Sequence, residues 1–231
     1  MSVLVTRSPP VAQRTPEPQA LDTAKRRQIL DGARRVFLVE GFDGASMGEI
    51  AKAAGVSKGT LYVYFSSKEA LFEALILEER AGLAEVLFSL DESDPDVRSV
   101  LHRLGASFLQ VMVQPDHVSS VRMVIGAADK FPRFGRTFYE AGPLTGASRL
   151  KSYLDQQVTA GRLRIADTAL AAEQFLGLCS VRVFKRALFA VPGEADAAAI
   201  SREVDGALAV FFSAYGADGD HSSRKAAATR A

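Results

Sequence analysis

The feature that most constrains the fold is a pair of short helical patterns, joined by a glycine-containing turn, within residues 46–65. Ser46 and Glu49 have the spacing of a capping box, in which two residues hydrogen-bond each other's backbone amides, so a helix is expected to begin there. Gly55 predicts its end, because glycine readily adopts the left-handed conformation that closes a helix. Ser57 can cap the next helix. Two helices joined by such a turn are typical of the helix-turn-helix motif that binds DNA.

The second of these helices carries side chains suited to a DNA groove. It offers a cation, a methyl-bearing hydroxyl and two phenols, and the positions predicted to be exposed are Lys58, Gly59, Thr60, Tyr62 and Tyr64. Such groups contact phosphates and base edges. The alternative is structural, because tyrosines often pack half-buried between helices and most lysines are simply solvated.

Helical patterns flank this segment on both sides. Apolar residues recur at helical spacing over about 23–40, and Gly41 predicts the end of that helix. A second capping-box spacing, Ser66 to Glu69, predicts a long fourth helix that ends near Phe88. The first three helices and the start of the fourth account for an N-terminal domain.

The remaining chain also has helical periodicity. No segment alternates at the two-residue period of a strand, and proline, glycine or aspartate separates the blocks. The blocks lie near 97–113, 117–128, 131–158, 167–190 and 197–215. The predicted fold is therefore all-α, with a three-helix N-terminal domain and a larger helical C-terminal domain. We expect a flexible arm (1–20), a helix-turn-helix domain (21–69), a helical domain (70–216) and a flexible tail (217–231).

Composition excludes several functional classes. The 231 residues carry a net charge of only +1, so any contact with DNA must depend on a local positive patch. The single cysteine, Cys179, cannot form an intrachain disulfide, and no apolar run is long enough to span a membrane. We expect a cytoplasmic protein. Three scattered histidines and the lack of a nucleophile motif argue against an enzyme, and no metal or cofactor is expected.

The run from Arg27 to Leu71 resembles the N-terminal domain of the TetR family of regulators. The resemblance rests on Ile29-Leu30, Ala33, Phe37, Gly41-Phe42, Ser46, Ile50-Ala51, Ala54-Gly55-Val56-Ser57, Gly59-Thr60-Leu61-Tyr62, Tyr64-Phe65 and Ser67-Lys68-Glu69-Ala70-Leu71. The segments 138–143 and 171–178 more loosely resemble the AefR-like branch of that family.

The resemblance implies a homodimer whose four-helix interface is built from the helices near 167–190 and 197–215. It also implies that Ser46 and Lys68 contact backbone phosphates of double-stranded operator DNA. Ser57 and the exposed residues of the third helix would face the major groove. At Gly59 we expect close approach of the backbone rather than base readout.

A sensor domain needs a cavity lined by apolar residues with a few polar groups that orient the ligand. Ordinary core packing is the alternative for each candidate. The candidate ligand-binding residues are Phe108, Met112, Arg122, Phe134, Phe138, Gln174, Phe175, Leu178 and Arg182.

Together these features predict a ligand-responsive DNA-binding transcriptional regulator. We expect a repressor that a small apolar or amphipathic effector releases from a pseudopalindromic operator. The alternative is a helical scaffold or partner-binding module without specific DNA recognition.

Overall fold

The computed structural model describes residues 18–217, and the side chains of residues 22–217. Within that range the chain forms helices and no β-strand. The helices are α1 (Pro18–Gly44), α2 (Met47–Ala54), α3 (Lys58–Tyr64), α4 (Lys68–Leu87), α5 (Val97–Met112), α6 (Pro115–Ala128), α7 (Pro132–Tyr139), α8 (Thr145–Thr159), α9 (Thr168–Leu178), α10 (Val183–Leu188) and α11 (Ala197–Tyr215). No described helix combines the length and apolar character needed to cross a membrane.

The first helix begins earlier than expected. It starts at Pro18, inside the predicted flexible arm, whose first seventeen residues lie outside the described range, as do residues 218–231 of the predicted tail. Its regular part ends as predicted at Gly41, where φ is 69° and ψ is 177°. These angles suit glycine, which lacks a Cβ atom.

Local capping sets the ends of α2 and the start of α4. Ser46 Oγ accepts a hydrogen bond from the Glu49 amide at 3.2 Å, and the Glu49 carboxylate accepts one from the Ser46 amide at 3.0 Å, which confirms the capping box. Gly55 closes α2 at a φ of 66°. The cap of α4 is Ser67, whose Oγ accepts from the Ala70 amide, so the expectation of Ser66 was wrong by one residue.

An aromatic cluster joins the helix-turn-helix segment to the rest of the molecule. We call it the N-terminal core: the buried apolar residues of α1–α3 and of the first half of α4, together with Ala45, Phe65, Val124, Ala127 and Phe134. Phe72 lies at its centre, with ring centroids 5.0 Å from Phe37 and 5.0 Å from Phe134. Because Phe134 belongs to α7, this core extends beyond residue 69.

The C-terminal core is formed by the buried apolar residues of α5, α8, α9 and α11, with Leu163, Ile165, Cys179 and Val183. Two blocks predicted as single helices are divided here. A π-helical turn over 140–144, which contains Pro143, separates α7 from α8. Residues 179–182 separate α9 from α10, where the Glu203 carboxylate accepts hydrogen bonds from the Arg182 and Val183 amides at 2.8 Å each.

Candidate nucleic-acid interface and ligand cavity

Helix α3 presents one buried and one exposed side. Leu61, and Phe65 at the end of the helix, pack into the N-terminal core. Tyr62 is 51% exposed, and Ser57, Lys58 and Gly59 are exposed as well. The exposed side therefore carries most of the groups predicted to contact DNA.

Two hydroxyls at the start of α3 are already engaged with each other. Ser57 Oγ accepts a hydrogen bond from the Thr60 amide at 3.0 Å and lies 2.8 Å from Thr60 Oγ1. Ser46 has the same kind of local role at the start of α2, where its Oγ donates to the Glu49 carboxylate at 2.7 Å. The hydrogen bonds that Glu49 accepts from the Ser46 hydroxyl and amide lower the pKa of its carboxyl group. Each capping hydroxyl makes two of the three hydrogen bonds open to it, so one remains for a further contact.

Lys58 and Tyr64 differ in their surroundings. The Lys58 side chain lies against the start of α2, where a Cβ on Gly48 would be 2.9 Å from Lys58 Cε. Tyr64 is half-buried and faces α1, and a hydrogen bond to the Asp22 carboxylate is the largest cause that raises the pKa of its phenol. Tyr64 therefore packs between helices, as in the structural alternative.

The structure gives Lys68 a different role from the predicted phosphate contact. Its Nζ donates hydrogen bonds to the carbonyl oxygens of Phe42 at 2.6 Å, Asp43 at 3.2 Å and Ala45 at 2.9 Å. It also lies 4.6 Å from the centroid of the Phe42 ring. An ammonium has three donors, so these carbonyls occupy all of them. Lys68 joins the start of α4 to the chain between α1 and α2.

A cavity of about 390 Å³ lies in the C-terminal domain between α4–α7, the π-helical turn and α8–α10. Phe108, Met112 and Phe138, all predicted as ligand-binding residues, line it. Its walls are mainly apolar, with Phe88 and Phe184 among them. This is the composition of pockets that take small molecules.

The other six predicted ligand-binding residues lie outside this cavity. Phe134 belongs to the N-terminal core and Phe175 to the C-terminal core, where both are fully buried, and Leu178 packs against the C-terminal core. Phe134 and Phe175 thus fill space within a core, and Leu178 covers the outside of one.

The three polar candidates have partners elsewhere. Arg122 donates to the carbonyl oxygens of Ala187 and Leu188. Gln174 accepts a hydrogen bond from the Tyr215 hydroxyl, and the exposed Arg182 side chain lies 3.9 Å from the Glu203 carboxylate. Each therefore has a structural role at the surface.

The polar wall of the cavity contains two residues that the sequence interpretation missed, Arg80 and His117. Both are buried, and Arg80 Nη1 lies 3.0 Å from His117 Nδ1. Phe72, Ile76, Arg80 and Ala84 recur every four residues along one face of α4. A lone arginine within an apolar stripe was the signal available for Arg80.

Comparison with known proteins identifies the family. The C-terminal domain of AefR-like transcriptional repressors matches residues 99–217, which is more than half of the chain, and the tetR family of bacterial regulatory proteins matches residues 29–75. The chain belongs to the TetR family. It is therefore a DNA-binding transcriptional regulator with an N-terminal helix-turn-helix, not an enzyme.

Solved structures of TetR-family regulators resemble this chain over most of its length. The flavonoid-responsive regulator FrrA is 32% identical with a TM-score of 0.72, and the match covers 85% of this chain and 100% of that one. A TetR-family regulator from Mesorhizobium loti is 27% identical with a TM-score of 0.80, over 84% of this chain and 98% of that one.

Curated TetR-family relatives match the DNA-binding region. The repressor Rv1474c of Mycobacterium tuberculosis is 46% identical over 63 residues, which is 27% of this chain and 34% of that protein. The repressor AcnR of Corynebacterium glutamicum is 43% identical over 65 residues, 28% of this chain and 35% of that protein. The chain thus spans about a third of the length of the curated relatives it matches.

Proposed function

We propose that this TetR-family chain is a homodimeric repressor, released from a pseudopalindromic operator when an apolar or amphipathic effector binds the cavity. The observation that carries the proposal is the continuity of α4. Leu71, Phe72, Leu75 and Ile76 in its first half are buried in the N-terminal core. In its second half, Arg80, Leu83, Ala84 and Leu87 line the cavity. A ligand that displaces the second half must therefore move the first.

DNA recognition is assigned to the exposed side of α3. Lys58 supplies a phosphate contact and Tyr62 contacts the groove, while the Ser46, Ser57 and Thr60 hydroxyls accept or donate single hydrogen bonds at its walls. Gly59 permits close approach of the backbone. The names of Rv1474c and AcnR, both repressors, support repression as the outcome.

An amphipathic effector suits the cavity, which combines aromatic walls with the Arg80–His117 pair. The similarity to FrrA, a flavonoid-responsive regulator that matches 85% of this chain, supports a sensor role for this domain. An aromatic ligand can stack on rings such as Phe108 and Phe138, which adds to the gain from burial.

We assign the dimer interface to α9 and α11, together with α10 in place of the single helix once expected over 167–190. Leu170, Val181 and Val210 in or beside these helices are each about half exposed in the single chain. An interface between two protomers would bury such residues.

The first experiment selects DNA from pooled random duplexes with the purified protein at physiological salt, followed by sequencing. A two-fold symmetric motif is the expected result, because a symmetric dimer reads two half-sites. No enrichment by a folded dimer would contradict operator recognition and favour a scaffold.

The matched variants are Tyr62→Ala and Ile125→Ala. Ile125 is 60% exposed on α6, outside α3 and outside the assigned dimer interface. Tyr62→Ala is expected to weaken operator binding at least tenfold with no loss of the dimer, and Ile125→Ala is expected to leave the operator affinity unchanged. Equal affinities for both variants would contradict the assigned surface.

Ligand control is tested by linkage. An effector that releases DNA must bind the free protein more tightly than the operator complex, by the same factor by which it weakens operator binding. Equal effector affinity with and without operator would refute the release mechanism.

A further inference from the structure

Arg80 is a buried cation in the wall of an apolar cavity. The residue is only 4% exposed, and its guanidinium carbon lies 4.4 Å from the centroid of the Phe138 ring. Nη1 is 3.0 Å from His117 Nδ1, whereas Nε is buried without a hydrogen-bond partner. A buried donor left unsatisfied is unfavourable, so the guanidinium has unused capacity for a hydrogen-bond acceptor.

The positive charge of Arg80 is incompletely balanced. The Glu79 carboxylate lies 3.7 Å from Arg80 Nη2, which is longer than a charge-assisted hydrogen bond. The same carboxylate lies 3.0 Å from Arg34 Nε on α1. One acid is thus shared by two guanidinium groups, so neither is fully balanced. The other carboxylate at the cavity, Glu173, is exposed to solvent.

His117 is a neutral neighbour of Arg80. Burial is the main reason that its pKa falls from 6.5 to about 3, and the charge of Arg80 lowers it further, so the ring is neutral at physiological pH. A guanidinium only donates hydrogen bonds, so Nδ1 must accept and the proton lies on Nε2. His117 orients Arg80 but does not neutralise it.

Apart from Ser180 and the exposed Glu173, the other walls of the cavity are apolar. Phe88, Phe108, Met112 and Phe184 line it. A Cβ on Gly146 would approach the Phe88 ring to 2.8 Å, so this glycine allows the ring to lie directly against α8. A molecule that fills the space must present apolar surface to these walls and a hydrogen-bond acceptor to Arg80.

We propose that the effector is an amphipathic acid whose carboxylate binds the Arg80 guanidinium while its apolar body fills the cavity. This inference rests on the proposed function, because it concerns the ligand of the same cavity. The carboxylate accepts hydrogen bonds from the guanidinium and balances the charge that Glu79 shares between Arg80 and Arg34. Glu79 then pairs with Arg34 alone. Ligand binding therefore changes an ion pair of α1 as well as one within α4.

The test compares acids with neutral analogues of the same shape. Displacement of Nile red, a neutral apolar dye, is measured by fluorescence with decanoate against 1-decanol, and with 4-biphenylcarboxylate against 4-biphenylmethanol. Charge-assisted hydrogen bonds predict that at least one acid binds about ten- to a hundredfold more tightly than its alcohol.

Variants assign that preference to a residue. Arg80→Met is expected to bring acid and alcohol within about threefold, and Arg80→Lys is expected to retain part of the preference. Arg122→Met is the matched control, because Arg122 binds backbone carbonyls outside the cavity and its loss leaves the preference unchanged. Glu79→Gln removes the competing carboxylate and is expected to tighten acid binding, which tests the proposal even if Arg80→Met fails to fold.

Each contrary outcome has a distinct meaning. Equal binding of acids and alcohols, with Nile red still bound, overturns the carboxylate while the ligand cavity stands. An acid preference that survives in both Arg80 variants overturns the assignment to Arg80, as does unchanged acid affinity in Glu79→Gln. Failure of Nile red and of all four compounds to bind overturns the ligand cavity itself and this inference with it.

Discussion

The two cores differ in how completely they are filled. Phe42 in the N-terminal core has Phe72, Phe131 and Phe134 at centroid distances between 5.1 and 5.3 Å, and the void beside Phe72 is about 10 Å³. The C-terminal domain instead surrounds a cavity of about 390 Å³. Tightly packed aromatic rings hold the DNA-binding helices in one arrangement. The loosely filled domain retains space that a ligand can enter.

Truncation of a phenylalanine in each region is the strongest test of this difference. Phe72→Ala is expected to lower the free energy of unfolding by about 3–5 kcal/mol, because it opens a void in a filled core. Phe108→Ala, which enlarges an existing cavity, is expected to cost about 1–2 kcal/mol, since its side chain is only partly buried. Urea denaturation with unchanged m-values gives both numbers.

Equal losses for the two variants would show that the cavity is closed in solution. A smaller loss for Phe72→Ala than for Phe108→Ala would reverse the comparison.

Acid is expected to act on the ligand-binding region through His117. Its pKa of about 3 in the folded chain lies below the ordinary value of 6.5, so the unfolded chain binds more protons between these pH values. Stability from this group is therefore present above pH 6.5 and is lost as the pH falls towards 3. Between pH 7 and 5 the expected loss is about 2 kcal/mol.

The measurement is the urea midpoint at pH 7 and pH 5 for the wild type and His117→Asn. Arg80, Glu79 and Asp116 remain in the variant, so any pH dependence that they cause is common to both proteins. An identical pH dependence in the two proteins would contradict the neutral buried histidine.

A smaller effect on stability is expected to distinguish Lys68 from Lys58. Lys68→Met is expected to lower stability by about 1–1.5 kcal/mol, because three backbone carbonyls lose a partly exposed charged donor. Lys58→Met is the matched control, with stability unchanged and the slope of log affinity against log salt reduced by about 1. A reduced salt slope for Lys68→Met would restore it as a phosphate contact.

Local patterns predicted the helix-turn-helix well because caps act within a few residues. The box at Ser46, the cap at Ser57 and the ends at Gly41 and Gly55 each depend on hydrogen bonds or backbone angles close in sequence. Position in a motif did not reveal that Lys68 contacts carbonyls over 20 residues earlier in the chain.

The cavity was harder to predict because helical periodicity marks a buried face without showing what the face meets. Phe134 and Phe138 are one turn apart on α7, yet the first fills the N-terminal core and the second lines the cavity. The break between α9 and α10 depends on Glu203, which is distant in sequence and caps the start of α10. Such tertiary hydrogen bonds leave no local pattern.

The length of α4 has a geometric consequence for operator recognition. Its 20 residues extend about 30 Å, at the usual rise per residue. A rotation of about 5° about its cavity end displaces the other end by about 2.5 Å, and by about 5 Å between the two protomers of the proposed dimer. Successive base pairs are about 3.4 Å apart. A tilt too small to disrupt either core thus shifts the two α3 helices by more than one base-pair step along the duplex.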